Sequence, residues 1–346
     1  MRQKVSIKDI ANHVGTSITA VSFVINGKAK EKYISDKLAA KIRKAIEELG
    51  YQPNLLARSL RTGKSNIIGF LVDDISKPFF SGLARAIDEK AAVHGYKIIF
   101  SSTGNDRERT AEILNIYKER HVDAYVAALA EGLETEIGEL IGGETPIVLF
   151  DRYLPGLDAD YVLTDNFWST AAAAQHLLDN GFEKIGFITI DTQQQQMLDR
   201  LRGYSEVIDR ARKKQEVLKI KYQDSENATG LIKAFLQDHP HLDAVIFAAN
   251  YLTMDGLKLS RSGDEALLQS KGVISFDDFE LLEFIRPSIT AVEQPIEAIA
   301  ENIIQLLLKK LAGGATEKAA KPVVINLQAR LNVRQSSKPL NAQLKL

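Results

Sequence analysis

The residues of this chain that could do chemistry begin with its cations. Of the first 62 residues, 12 are Lys or Arg and five are Asp or Glu, a net of +7; the rest holds 32 basic and 40 acidic residues, a net of −8. A basic head on an acidic body implies that only the head meets a polyanion. Within it, Ser6, Thr16, Ser22 and Asn26 are small polar residues at the ends of helical patterns. They suit phosphate contacts that position a protein on a duplex without reading it, and helix capping is the competing use of each. Elsewhere the six histidines show no metal-ligand spacing, and the absence of cysteine excludes disulfides, thiolate zinc sites and thiol nucleophiles. No glycine-rich phosphate loop, nucleophile elbow or metal-hydrolase motif is present. No metal, cofactor or catalytic residue is therefore expected.

These residues need elements to hold them. Ser6-Ile7-Lys8-Asp9 fits a capping box, followed by Ile7, Ile10, Ala11 and Val14 at helical spacing. Gly15-Thr16-Ser17 is a turn. Ser17 caps a second helix, Ile18 to Ile25, with Val21, Val24 and Ile25 inward and Asn26-Gly27 at its end. Ser35 caps a third, to about Leu49, with Leu38, Ile42, Ala45, Ile46 and Leu49 on one face. Two short helices joined by a tight turn and closed by a third describe a helix-turn-helix unit. Asn54 then caps a short helical stretch through Leu55–Arg61, below the roughly 12–15 residues that are stable alone, so it should form only with partners.

From Ile67 the character changes. Ile67–Val72 is a continuous apolar run, expected as a strand buried on both faces. Helices and strands then alternate: helix 79–94, strand 97–101, helix 107–120, strands 124–129 and 147–150. A second set follows Asp165-Asn166: helix 168–180, strand 185–190, helices 200–213 and 228–238, strand 244–248, helix 253–261, strand 273–275. Gln193–Gln196 reads as a loop. The alternation implies two lobes of doubly wound parallel sheet. The last helix, 296–311, and a strand at 323–327 are expected to return to the first lobe. The fold class is thus α/β with an all-α head. Domains are expected at 1–50 (helix-turn-helix), 51–65 (hinge helix and linker) and 66–346, the last with lobe 1 at about 66–164 and 292–330 and lobe 2 at about 165–291. The N-terminus lacks an uninterrupted apolar run and no segment reaches the roughly 18 apolar residues of a membrane helix, so a soluble, cytoplasmic protein is expected.

An ordered series of short motifs now resembles the LacI/GalR family of repressors over nearly the whole chain. It runs from Val5-Ser6-Ile7-Lys8-Asp9-Ile10-Ala11 through Leu49-Gly50-Tyr51-Gln52-Pro53-Asn54 and Ala57-Arg58-Ser59-Leu60. It continues with Asp74–Phe80, Asp151-Arg152, Thr164-Asp165-Asn166, Ser275-Phe276-Asp277-Asp278 and Gln294-Pro295. The resemblance implies that the second helix enters the major groove, with Ile18, Thr19 and Phe23 as specificity residues and Ser17 and Ala20 beside them. This set has no Arg, Asn or Gln for a bidentate base contact. Thr19 can hydrogen-bond, while Ile18 and Phe23 can touch thymine methyls or pack inward. The resemblance also implies paired hinge helices in the minor groove, with Asn54, Ala57 and Arg58 among the DNA-binding residues, Arg58 reaching backbone or minor-groove edges, and Leu60 wedging a base step; burial of Leu56 and Leu60 against the body is the alternative.

For the body it implies a periplasmic-binding-protein-like sensor that holds a sugar or sugar derivative between its lobes. The residues it assigns are Asp74, Phe79, Phe80, Asp151, Arg200, Asn250 and Asp277. Carboxylates accept from vicinal hydroxyls, Arg200 donates in a fork, Asn250 does both, and either Phe offers a flat face. An interlobe salt bridge for Asp277 and Arg200, and core packing for the two Phe, are the competing readings. Asn166 and Trp168 read as capping and packing residues. Tyr251 stands where the family often has Asp. The expected partners are a pseudo-palindromic double-stranded operator, the small effector and a second copy of the chain. The tail after Ser336 lacks tetramerising heptads, which favours a dimer. Two rivals share the scaffold. A periplasmic-type sugar-binding protein would have no use for residues 1–62, and an enzyme would need a catalytic constellation.

Overall fold

The computed structural model describes residues 5–51, 64–128, 132–143, 145–318 and 321–338. The chain divides into two compact units, Met1–Ser65 and Asn66–Leu346. Asn54, Ala57, Arg58 and Leu60, with the short helix assigned around them, lie outside the described residues.

The first unit carries α1 (Ile7–Val14), α2 (Ile18–Ile25) and α3 (Asp36–Leu49). Each begins where a serine can cap it. The Ser6 Oγ accepts from the Asp9 amide while the Asp9 carboxylate accepts from the Ser6 amide at 2.8 Å, completing the capping box. Ser17 and Ser35 accept from Ala20 and Leu38. Gly15 closes α1 at φ 72°, the left-handed conformation that glycine adopts without a Cβ penalty. Ile10, Ala11, Val14, Val21, Val24, Ile42 and Ala45 are buried in the core, as the helical spacing predicts; Ala39 joins them, while Ile7, Ile25, Leu38, Ile46 and Leu49 pack against it half-buried.

The second unit holds two six-stranded sheets. The first comprises β1 (Ile67–Val72), β2 (Lys97–Ser102), β3 (Ala124–Ala127), β4 (Ile147–Phe150), β5 (Asp160–Thr164) and β11 (Val324–Leu327), all parallel, in the order β11-β5-β4-β3-β1-β2. Phe70, Val72, Val126 and Val148 pack on one side with α4 (Pro78–Val93) and α13 (Ile296–Lys318). Leu71, Tyr125, Leu149 and Tyr161 pack on the other with α5 (Arg107–Glu119) and α6 (Glu134–Ile141). The late helix and β11 therefore return to the first lobe.

The second sheet comprises β6 (Ile185–Asp191), β7 (Glu216–Lys221), β8 (Ala244–Phe247), β9 (Gly272–Phe276), β10 (Thr290–Glu293) and β12 (Arg330–Asn332), in the order β12-β10-β9-β8-β6-β7. All neighbours are parallel except β10 with β12. Around it lie α7 (Asn166–Asp179), α8 (Gln195–Arg210), α9 (Ala228–Asp238), α10 (Asn250–Leu257), and the single turns α11 (Ala266–Gln269) and α12 (Leu281–Phe284).

Several elements differ from the sequence expectation. Strands β5, β7, β10 and β12 and helix α6 were not anticipated. β7 sits at a sheet edge, where Glu216, Lys219 and Lys221 interrupt its apolar residues. Gln195 and Gln196 open α8 instead of lying in a loop, and α10 starts at Asn250, three residues earlier than expected, with a 3-10 turn over Lys258–Ser262. The chain also crosses between lobes a third time, because β12 pairs with β10, which places 330–337 in lobe 2.

Close packing of α7 on α8 depends on Gly203, where a Cβ would lie 2.2 Å from the Phe167 carbonyl oxygen. Helix propensity alone would make Gly203→Ala stabilising by about 1 kcal/mol. Overpacking against backbone, which has little room to yield, costs about 1–3 kcal/mol or more. The variant is therefore expected to lose stability on balance, read as a lower urea midpoint; a raised midpoint would show that the two helices can separate freely.

Candidate nucleic-acid interface and ligand cleft

In the head, burial of Val21 and Val24 turns the other face of α2 outward. Ile18 is 51% exposed; Thr19, Ser17 and Asn26 are exposed, and Ala20, Ser22, Phe23 and Thr16 are half-buried. Ile18 is thus not an inward residue. Phe23 stands outside the buried core, with the Lys32 ammonium 5.9 Å from its ring centre. Ser6 and Ser17 are engaged as caps, and the Asn26 amide donates to the Ser22 carbonyl at 2.6 Å. Exposed Lys28, Lys30 and Lys32 lead into Tyr33, which is 96% exposed. Sequence reasoning passed over this run, although alternating cations ending in an aromatic were legible as a nucleic-acid surface.

In the body, the carboxyl ends of the parallel strands of both lobes face one cleft of about 730 Å³. All seven residues assigned to the ligand line it: Asp74, Phe79, Phe80 and Asp151 from lobe 1, Arg200, Asn250 and Asp277 from lobe 2. Asp151 follows β4 and Asp277 follows β9, at φ 62° and 71°. Asp is among the few residues that tolerate this left-handed conformation, which ends the strand.

Arg200, on the second turn of α8, is buried. Its Nε donates to Asn166 Oδ1 at 2.8 Å, its Nη1 to the Ala248 carbonyl at 2.7 Å, and its guanidinium lies 3.6 Å from the Phe276 ring centre. No carboxylate reaches it within salt-bridge distance among the described residues, so the Arg200–Asp277 salt bridge is not formed. Asp277 instead accepts from the Gln294 amide at 2.6 Å and from the Asn250 backbone at 3.3 Å. Gln294 in turn accepts from Thr164 Oγ1 at 2.7 Å, tying Asp277 to lobe 1 through a crossover.

Asp74 turns the loop before α4. Burial raises its pKa, but the Ser76 hydroxyl and amide, donating at 2.7 and 2.9 Å, outweigh this and hold it below the usual range. Phe79 and Phe80 are both core residues of lobe 1 and walls of the cleft, their rings 5.2 Å apart.

Sequence reasoning missed the groups that hold these. Buried Asp73 bonds Lys77 at 2.8 Å and Arg152 at 3.3 Å, and Arg152 donates to Asn105 Oδ1 at 2.6 Å. Lys77 reaches across the lobes to within 4.8 Å of the Tyr251 ring centre, and burial pushes the Tyr251 hydroxyl pKa up. Asn166 is no cap: Asp165 accepts from the Trp168 amide, and Asn166 positions Arg200. Trp168 is no packing residue either, being 67% exposed.

Asp151 is pushed up to about 6, chiefly by burial, with Arg152 and Arg200 opposing and Asp277 and Asp73 reinforcing the rise. The folded chain then holds a proton that the unfolded chain has released between the ordinary carboxylate value and about pH 6. Stability should fall as pH rises through that window, at most about 1.4 kcal/mol per unit. Asp151→Asn is expected to flatten this part of the profile, measured by urea unfolding at pH 4 to 7; an unchanged difference from pH 4 to 6 would place the titration elsewhere.

A helix-turn-helix head on a two-lobed binding body defines a class: ligand-responsive DNA-binding regulators. Comparison with known proteins agrees. Residues 6–54 match the model for bacterial regulatory proteins of the lacI family, and residues 65–329 match that for periplasmic binding proteins and the sugar-binding domain of the LacI family. The chain is 31% identical over 311 residues to the sucrose operon repressor of Lactococcus lactis, covering 89% of this chain and 94% of that one. It is 28% identical over 333 residues to the ribose operon repressor of Halalkalibacterium halodurans, covering 96% and 97%. The lac repressor dimer, solved bound to operator and an anti-inducer, aligns with a TM-score of 0.80 at 19% identity, covering 97% of this chain and 100% of that one. The chain belongs to the LacI family and is a DNA-binding transcriptional regulator. Among the described residues no helix is long and apolar enough to cross a membrane, and no cluster of His, Cys, Asp or Glu could hold a metal ion.

Proposed function

We propose that the chain is a cytoplasmic, homodimeric repressor whose operator affinity is set by an uncharged sugar or sugar derivative in the interlobe cleft. It is a regulator and not an enzyme in this reading. The observation that carries it is convergence: acceptors, donors and two aromatic rings from both lobes surround one cleft, in a chain whose head exposes a basic helix-turn-helix face. Asp151 and Asp277 accept ligand hydroxyls, Arg200 and Asn250 donate, and Phe79 and Phe80 form an apolar wall. The buried cations and carboxylates of the cleft nearly balance, which favours a neutral ligand over a charged one.

On DNA, Ile18, Thr19 and Phe23 meet base edges, and Ser22, Asn26, Lys28, Lys30 and Tyr33 meet the backbone. Val93, Ile99, Phe100 and Ile116 expose apolar surface on α4, the edge strand β2 and α5, which supports pairing with a second copy. A ligand changes operator affinity only by its differential affinity for the two lobe arrangements. The test is selection of a bound sequence from random duplexes, then gel shift with sugars added. An inverted-repeat site that one sugar releases is the expected result; a selected site lacking two-fold symmetry would overturn the dimer, and one that responds to no sugar would overturn the effector class.

A further inference from the structure

We propose that the effector cleft continues past Asp151 and Gln196 into a second saccharide groove floored by Trp168, so that the natural effector carries two sugar rings or a ring with a bulky aglycone. This rests on the sugar-responsive reading of the cleft and extends it.

The groove, of about 370 Å³, adjoins the cleft and shares Asp151 and Gln196 with it as lining residues. It lies between the carboxyl ends of β5 and β11 in lobe 1 and the first turns of α7 and α8 in lobe 2. Three aromatic residues border it, Tyr153, Phe167 and Trp168. The Trp168 ring meets Phe167 edge-on at 5.1 Å and stays largely in water. Tyr153 leans on Tyr161 at 5.0 Å and is also exposed. An indole kept in water beside hydrogen-bonding groups matches the two-sided chemistry of a sugar ring, whose C–H face stacks while its hydroxyls reach sideways.

The polar partners are present. Asp199 is oriented through one oxygen, which accepts from Gln195 at 2.7 Å and from Arg202 at 2.8 Å. Its other oxygen is available to a hydroxyl. Asn326 lines the opposite side. At the junction, Gln196 is buried and its Oε1 has no hydrogen-bond partner in the structure, an acceptor left unmet where a ligand passing from cleft to groove would offer a hydroxyl. A ring bound only in the cleft would leave the indole and Asp199 unused.

Trp168 is the only tryptophan, so its fluorescence reports on this groove alone. The probes are cellobiose, maltose and sucrose against glucose, fructose and ribose, titrated by calorimetry and tryptophan emission into the full-length wild type, Trp168→Ala, Trp168→Phe and Asp277→Asn. One disaccharide is expected to bind more tightly than its component rings and shift the emission. Trp168→Ala should weaken it roughly 3- to 10-fold, with Trp168→Phe intermediate and monosaccharides unaffected. Disaccharide binding unchanged in Trp168→Ala, or a monosaccharide as the tightest ligand with unmoved emission, would overturn the groove. If that monosaccharide still depended on Asp277, the cleft reading would stand. If none of the six bound, the sugar reading and the groove would fall together.

Discussion

Asp277→Asn is expected to weaken effector binding by about 10- to 150-fold and to abolish release of the operator at effector concentrations that release the wild type. The substitution keeps the size of the side chain, so little packing is lost. It removes a charge and one acceptor from a residue that already receives the Gln294 amide at 2.6 Å and the Asn250 amide at 3.3 Å. An asparagine can accept with one oxygen only, so one of these donors loses its partner and the ligand hydroxyl loses a charged acceptor. Hydrogen bonds to a charged group contribute about 1.5–3 kcal/mol, which sets the stated range. Calorimetric titration with the sugar that releases the operator measures it. Wild-type affinity in the variant would mean that Asp277 serves the crossover and not the ligand.

The second large effect is electrostatic. Operator binding by the dimer should fall by roughly 10³–10⁵ between 50 and 200 mM salt if its two heads make about 6–10 phosphate contacts. Each head is net +7, and Lys8, Lys28, Lys30, Lys32 and Lys37 are exposed. Counterion release makes the slope of log affinity against log salt count those contacts. Replacing Lys28 and Lys30 by Gln should therefore flatten the slope by nearly two units per head, if both reach phosphate, and weaken specific and non-specific duplexes alike. A slope near zero in the wild type would remove the basic face of the head as the DNA surface.

What the sequence made legible followed strength of pattern. The serine-capped helices of the head and the runs at Ile67–Val72 and Ile147–Phe150 each carry a local signal, and each formed as expected. The overlooked strands are of three to six residues, and their pairing is set by partners far along the chain; β5 lies beside β11, about 160 residues later. The same distance hid much of the site. Asp74, Asp151 and Asp277 were reachable through short motifs, and Arg200 and Asn250 through the resemblance as a whole. Gln294 stood in a motif too, but its role did not show there, because that role is a bond to Thr164, 130 residues away. Asp73 and Arg152 stood beside assigned residues, yet their role is to neutralise and orient each other across the top of a sheet. Trp168 was misread because an aromatic near a helix start suggests packing, and only the fold shows the face it leaves in water.

The three crossings between lobes bear on how the chain comes off the ribosome. The head draws its core from residues within the first 51 and can fold while the rest is still being made. Neither lobe has that freedom. Lobe 1 waits for α13 and for β11 at 324–327, and lobe 2 waits for β12 and the buried serines Ser336 and Ser337. Both sheets keep an unfilled edge until residues 324–332 have been made, and the two then close nearly together. A nascent chain stalled before about residue 320 would present a finished DNA-binding head on an unfinished body, with two open strand edges for chaperones to cover.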